Sequence, residues 1–213
     1  MDLLFRSVKP YLSVGRADER SEDVRTSTRE TILAAARRSA MAHGYGGLNV
    51  RDLAGEVGIR AASLYHHFPS KTELGAAVAR RYCEDTGADL DALSDGAADP
   101  RARLRRYPEI FRRSLENGNR MCLCSFMSAE YDDLPDAVKR EVQAFADVNV
   151  AWLSRTLTEA GVAGVAGANE AGHRARAIFA AVAGAQLMAR SRADLALFDA
   201  LIESYREAGL LPG

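Results

Sequence analysis

The sequence contains no apolar run approaching the ~20 residues that a membrane-spanning helix requires, and no charged start leading into a long apolar stretch. Neither a membrane partner nor a secretory leader is expected. Cysteine is scarce: three in 213 residues, an odd number ill suited to a disulfide framework. Free thiols in a cytoplasmic protein are the expectation. Zinc-ligand spacing, a Gly-rich phosphate loop and a paired-carboxylate set are all missing, so no metal, cofactor or nucleotide chemistry is expected. Net charge is −1, which argues against a general nucleic-acid coat. No segment reads as a convincing strand, and there are no internal repeats.

What is present is helical periodicity. With 47% hydrophobic and 27% charged residues the chain is ordinary for a globular protein and long enough to bury a substantial core. The organising stretch runs from Thr28 to Lys71 and reads as three short helices. Ile32, Leu33, Ala36 and Ala40 recur at helical spacing up to a stop at His43-Gly44. Asn49 is a good N-cap for a helix Val50–Val57, with Asp52 in the position of a capping-box acid. Gly58 ends that helix, Ile59 plugs the turn, and RAASLYHHF forms the third. A helix, a short Gly-containing turn and a second helix form the layout that places a helix in a DNA major groove. This stretch holds six bases against three acids, so a basic head sits on an acidic body.

Residues 1–27 carry five bases and five acids without sustained periodicity and read as a flexible extension, or as an arm lying along DNA. Ser70 and Glu73 form a second capping box that opens a long helix from Lys71 to about Leu93. Asp99-Pro100 starts the next helix, expected to run to about Glu116 with Leu104, Tyr107, Phe111 and Leu115 on one face. A short apolar helix over Met121–Tyr131 follows, then a long helix from Pro135 to Ala160. Two last helices span about 169–190 and 194–208, the first rich in small residues at Ala177, Ala180, Ala181, Gly184 and Ala185. Small residues let a second helix approach closely, either within the body or from another copy. The expected fold class is all-α: a flexible extension (1–27), a helix-turn-helix head (28–75) and a helical effector-binding and dimerisation body (76–213).

The run LNVRDLAGEVGIRAASLYHHFPSKTEL resembles the DNA-binding segment of the TetR family of transcriptional regulators. The match is carried by Leu53-Ala54, Val57-Gly58-Ile59, Leu64-Tyr65-His66-His67-Phe68, Ser70-Lys71 and Glu73-Leu74. It covers about a third of the chain. The resemblance implies a homodimer joined through the last two helices, double-stranded operator DNA as partner, a small-molecule effector and no enzymatic activity. It places Tyr65 and Lys71 at phosphate-contacting positions, and Asn49, Val50 and Arg51 where members touch phosphate or a base edge. Backbone contacts of this kind position the protein without reading sequence. The exposed face of the recognition helix is expected to be Arg60, Ala61, Ser63, His66 and His67. Arg60-Ala61-Ala62 departs from the Ser or Thr cap common in the family. Arginine is a poor N-cap, so the start of this helix is weakened in isolation.

In the body, CLCSFMSAEYDDLP resembles, more loosely, a branch of the family that responds to thiol-reactive electrophiles. Cys122 is then the first sensor candidate and Cys124 the second. In a helix's first turn beside Arg120, Cys122 is expected to have a lowered thiol pKa. The alternative is that both are small buried packing residues. Residues expected to line an effector pocket are Tyr107, Phe111, Phe126, Glu130, Asn149 and Trp152, an apolar set with a few polar groups. Two other classes stand beside the regulator. A cysteine-dependent enzyme needs a His base near a reactive thiol, yet only His173 of the four histidines lies in the body. A ligand-binding protein whose head no longer binds DNA is the other, raised by Arg60-Ala61-Ala62.

Overall fold

A computed structural model describes residues 15–162 and 167–212, with side chains described from Ser27 onward. Ten α-helices and one short 3-10 turn make up these residues, and no strand occurs among them. The helices are α1 (Gly15–His43), α2 (Val50–Val57), α3 (Ala61–His67), α4 (Lys71–Asp95), α5 (Pro100–Arg106), α6 (Glu109–Glu116), α7 (Leu123–Ser128), α8 (Asp136–Glu159), α9 (Ala168–Arg192) and α10 (Leu195–Glu207). The 3-10 turn spans Tyr131–Asp133 between α7 and α8.

Helix α1 begins at Gly15, so residues 15–27 are helical rather than a loose extension. No Gly or Pro interrupts the chain from Arg16 to His43, and a helix continuous with a packed one needs no apolar stripe of its own. Residues 1–14, the other half of the expected arm, lie outside the described residues. A second correction concerns the helix expected from Pro100 to Glu116. It is two helices, α5 and α6, broken at Tyr107-Pro108. Pro108 lacks the amide hydrogen and crowds the preceding turn, although Leu104, Tyr107, Phe111 and Leu115 stay buried on both sides of the break. The short helix expected over Met121–Tyr131 is confined to Leu123–Ser128.

Elsewhere the caps act as their sequences direct. Asn49 Oδ1 accepts from Arg51 N–H, Ser70 Oγ from Glu73 N–H, Asp99 from Arg101 and Ala102 N–H, and Asp194 from Leu197 N–H. Helix α4 is the spine. Roughly 37 Å long at the standard rise, it packs on α1 at its start and on α8 along its length. Helix α8 in turn packs on α9, and α9 on α10. The buried stripe of α4 (Leu74, Val78, Tyr82, Thr86, Leu90) faces that of α8 (Val138, Val142, Phe145, Asn149, Trp152). One connected apolar core results, running from Ile32 in α1 to Leu211 after α10. No described helix is long and apolar enough to cross a membrane.

Candidate nucleic-acid interface

Two short helices meet through one tight turn. Gly58 closes α2 with φ of 76°, in the left-handed region where a side chain would be strained, and its N–H returns to Ala54 and Gly55 carbonyls. Ile59 N–H also bonds to the Ala54 carbonyl at 2.9 Å, and the Ile59 side chain packs against the core. Leu53, Ala54, Leu64 and Phe68 are buried, which leaves the opposite face of α3 to solvent. That face carries Ala62, Ser63, Tyr65 and His66, with Tyr65 49% exposed.

The predicted DNA-facing residues divide into three groups. Asn49, Arg51, Arg60, Ser63, Tyr65 and His66 are exposed. His67 and Lys71 are half-buried; Lys71 Nζ donates to the Gly46 carbonyl at 3.3 Å and lies 4.7 Å from the Tyr45 ring centroid. Val50 is buried in the core, so only its backbone remains for a partner. Ala61, expected on the exposed face, packs partly against the core, and Ala62 is exposed in its place. Arg60 occupies the N-cap of α3 with extended backbone and no capping hydrogen bond from its side chain.

The basic charge of the head is smaller than its count. Arg38 pairs with Glu56 of α2 at 2.6 Å, and Arg37 with Asp85 of α4. The Arg29 guanidinium lies over the Phe68 ring at 5.0 Å. These three cations tie α1 to its neighbours. Among the described residues Arg51 and Arg60 form no ion pair, which leaves them as the cations free to meet a phosphate or a guanine edge.

In the body, the residues expected to line a pocket mostly fill a core. Tyr107 Oη donates to Asn149 Oδ1 at 2.9 Å, and Asn149 Nδ2 donates to the Phe145 carbonyl at 2.9 Å. Tyr107 stacks on Trp152 with ring centroids 5.8 Å apart and meets Phe111 edge-on. Trp152 Nε1 donates to Ser94 Oγ at 3.0 Å. Phe126 lies beneath the Arg190 guanidinium. Glu130 lines no pocket with these residues: its carboxylate accepts the backbone N–H groups of Tyr45 and Gly46 in the head. Open clefts of about 290 and 310 Å³ lie on the surface, one between α1, α4 and α6 lined by Arg37, Arg38, Tyr82, Asp85, Asp89 and Arg113 among others, another between α4, α5 and α6. Sequence reasoning missed the first because its wall combines charged residues of three helices distant in sequence.

The thiols are likewise corrected. Cys122 sits at the N-cap position of α7, ahead of its first turn, and is buried with Cys124. Burial pushes the Cys122 thiol up, against hydrogen bonds from Ser125 and Tyr82 that favour its thiolate. Burial pushes Cys124 well up too, with Cys122 adding to the effect. The lowered pKa expected from Arg120 is therefore reversed. Cys83, half-buried on α4, is also pushed up by burial.

Comparison with known proteins converges on one family. Residues 32–78 match the family model described as bacterial regulatory proteins, tetR family. The HTH-type transcriptional repressor NemR of Escherichia coli is 28% identical over 133 residues, covering 61% of this chain and 67% of NemR. The HTH-type transcriptional repressor AcnR of Corynebacterium glutamicum is 37% identical over 73 residues, covering 34% of this chain and 37% of AcnR. A TetR-family transcriptional regulator from Agrobacterium tumefaciens, known from its crystal structure, is 30% identical with a TM-score of 0.80. That alignment covers 89% of this chain and 100% of the other. The helix-turn-helix head, the all-helical body behind it and this near full-length similarity make the chain a DNA-binding transcriptional regulator belonging to the TetR family.

Proposed function

We propose that the protein is a homodimeric cytoplasmic repressor that binds a roughly palindromic operator and leaves it when an effector acts on the body. Each head places α3 in a major groove, the two heads lying one or two helical turns (~34–36 Å each) apart. Tyr65 and Lys71 hold phosphates, Asn49, Val50 and Arg51 at the start of α2 meet a phosphate or a base edge, and Arg60, Ala61, Ser63, His66 and His67 make up the groove-facing side of α3. The observation that carries this reading is the exposed face of α3 beside two exposed cations, Arg51 at the start of α2 and Arg60 at the N-cap of α3, in no ion pair among the described residues.

Dimerisation through α9 and α10 is supported by exposed apolar surface. Tyr65, Tyr131, Leu187 and Met188 are the strongly exposed large hydrophobic residues among those described, and the last two are neighbours on α9. Ala177 and Ala180 are exposed on the same side of that helix. Such a surface is costly on a monomer and natural between copies. For release, a ligand or a thiol modification shifts the balance only by its preference for the non-binding form. Cys122, buried and protonated, reacts after an opening of α7, so covalent release is the slower route.

A gel shift with duplex DNA from upstream of the protein's own gene, with and without a quinone, tests the reading. Retardation that the quinone abolishes in the wild type but not in Cys122→Ser supports thiol-driven release. Retardation indifferent to the quinone leaves non-covalent release. Absence of binding to that DNA and to a random duplex pool rejects the repressor.

A further inference from the structure

We infer that Glu130 is a positioning residue for DNA binding, clamping the α1–α2 turn so that the body sets the angle of the head; the inference rests on the DNA-binding reading above. Glu130 follows α7, in the body. Its carboxylate accepts Tyr45 N–H at 2.6 Å and Gly46 N–H at 3.2 Å, across 85 and 84 residues of sequence. Neither amide has another acceptor among the described residues. A carboxylate bridging two successive backbone N–H groups makes charge-assisted bonds, stronger than neutral ones and directional.

The turn is shaped to receive this group. Gly44 has φ of 69°, and a Cβ built on it falls 2.1 Å from Glu130 Oε2, so the carboxylate occupies the space a side chain would take. On its other side the turn is held by the head. Lys71 Nζ donates to the Gly46 carbonyl, and Ser39 Oγ donates to the Gly47 carbonyl at 2.9 Å. Asn49 N–H then bonds to the same Gly47 carbonyl, and Asn49 caps α2. The chain of bonds thus runs from Glu130 through the turn to the start of α2 and of α4, the two helix ends that face phosphate.

Helix α4 is the covalent connection between head and body, and α1 also packs on α4 and α7; Glu130 adds a directional polar tie at the α1–α2 turn. Because it follows α7 directly, a displacement of α7 moves the carboxylate and releases or pulls the turn. Apolar packing of α1 on α4 and α7 holds the head against the body, and the directional Glu130 bonds fix the position of the α1–α2 turn within that contact.

Hydrogen–deuterium exchange on the full-length wild type, Glu130→Ala and Glu130→Gln tests the clamp. The Tyr45 and Gly46 amides are expected to exchange on the order of tenfold faster in the alanine variant. The glutamine variant, which keeps a neutral acceptor, falls between, while exchange in α8 and α9 is unchanged. In a second arm, a duplex selected by the wild type from a random pool binds Glu130→Ala on the order of tenfold more weakly, with the melting profile of the body retained. Unchanged exchange in the turn overturns the clamp. Faster exchange with unaltered DNA affinity overturns its positioning role. A wild type that selects no duplex rejects DNA binding itself, and the exchange result still decides whether Glu130 holds the turn. Should the alanine variant fail to fold, the glutamine variant carries both arms.

Discussion

Gln186 holds Cys122 in place from α9: its side-chain oxygen accepts the Cys122 backbone N–H at 3.0 Å while its Nε2 donates to the Phe111 carbonyl at 2.7 Å. One fully buried amide therefore satisfies backbone groups at the start of α7 and within α6. Gln186→Ala leaves the Cys122 N–H buried without a partner, strips the Phe111 carbonyl of its bond from α9 and opens a cavity. A loss of about 2–4 kcal/mol is expected, since an unsatisfied buried group costs about 1–3 kcal/mol. Urea unfolding of the two proteins measures it, and a loss within ±0.5 kcal/mol contradicts the bonding described.

The thiol of Cys122, whose backbone N–H that bond holds, has a pH signature. Burial raises the folded-state pKa of Cys122, so the neutral thiol persists at pH values where the unfolded chain has begun to ionise. Alkylation of the native protein should be slower than that of the urea-unfolded chain at pH 7. Its rate should keep climbing beyond the ~8.5 at which an ordinary thiol is half ionised. Linkage has the matching sign: folding stability falls as pH rises above ~8.5, because the unfolded state releases the proton first. Iodoacetamide kinetics from pH 6 to 10 in a Cys83→Ser, Cys124→Ser background provide the check. A rate that levels off near the ordinary value removes the burial argument.

On the DNA side, the free cations and the tyrosine should behave differently. On the proposed phosphate-holding role of Tyr65, Tyr65→Phe is expected to weaken binding to every sequence alike. Arg60→Ala should lower the slope of log affinity against log salt by about one if its partner is a phosphate. It should instead cost about 1–3 kcal/mol at a single base position if it reads a guanine. Anisotropy titrations at several salt concentrations, on an operator and its single-base variants, separate the two. Arg38→Ala, whose guanidinium is paired to Glu56, should leave the salt slope unchanged.

The outer face of α9 makes a prediction about assembly. Leu187→Glu places a charge in the centre of the proposed interface, where desolvation without a partner is costly. Sedimentation equilibrium should show a dimer for the wild type and a monomer for the variant, with unaltered helicity. Operator affinity should drop with it, because two linked heads bind at high effective concentration and one head does not. An unchanged dimer moves the interface elsewhere.

Much of the architecture was legible because it is written locally. Asn49, Ser70, Asp99 and Asp194 cap helices through side-chain oxygens that reach amides two or three residues away. Gly58 is needed at a left-handed turn, and the stripes of α4 and α8 repeat at the helical period. The boundary lost at Tyr107-Pro108 shows the limit of the pattern: apolar spacing continued in register through a break that the proline imposed.

The sequence by itself determined the helix-turn-helix and its family, since both rest on hydrogen bonds and packing within a few dozen consecutive residues. Only the tertiary structure decided which of the head's cations stay free, because pairs such as Arg37 with Asp85 depend on how α1 lies along α4. It also decided that Tyr107, Asn149 and Trp152 satisfy one another, that Cys122 is shut in, and that Glu130 reaches back to Tyr45. The physical reason is common to all: the energy of a buried or bridging polar group is set by its partner, and that partner lies dozens of residues away.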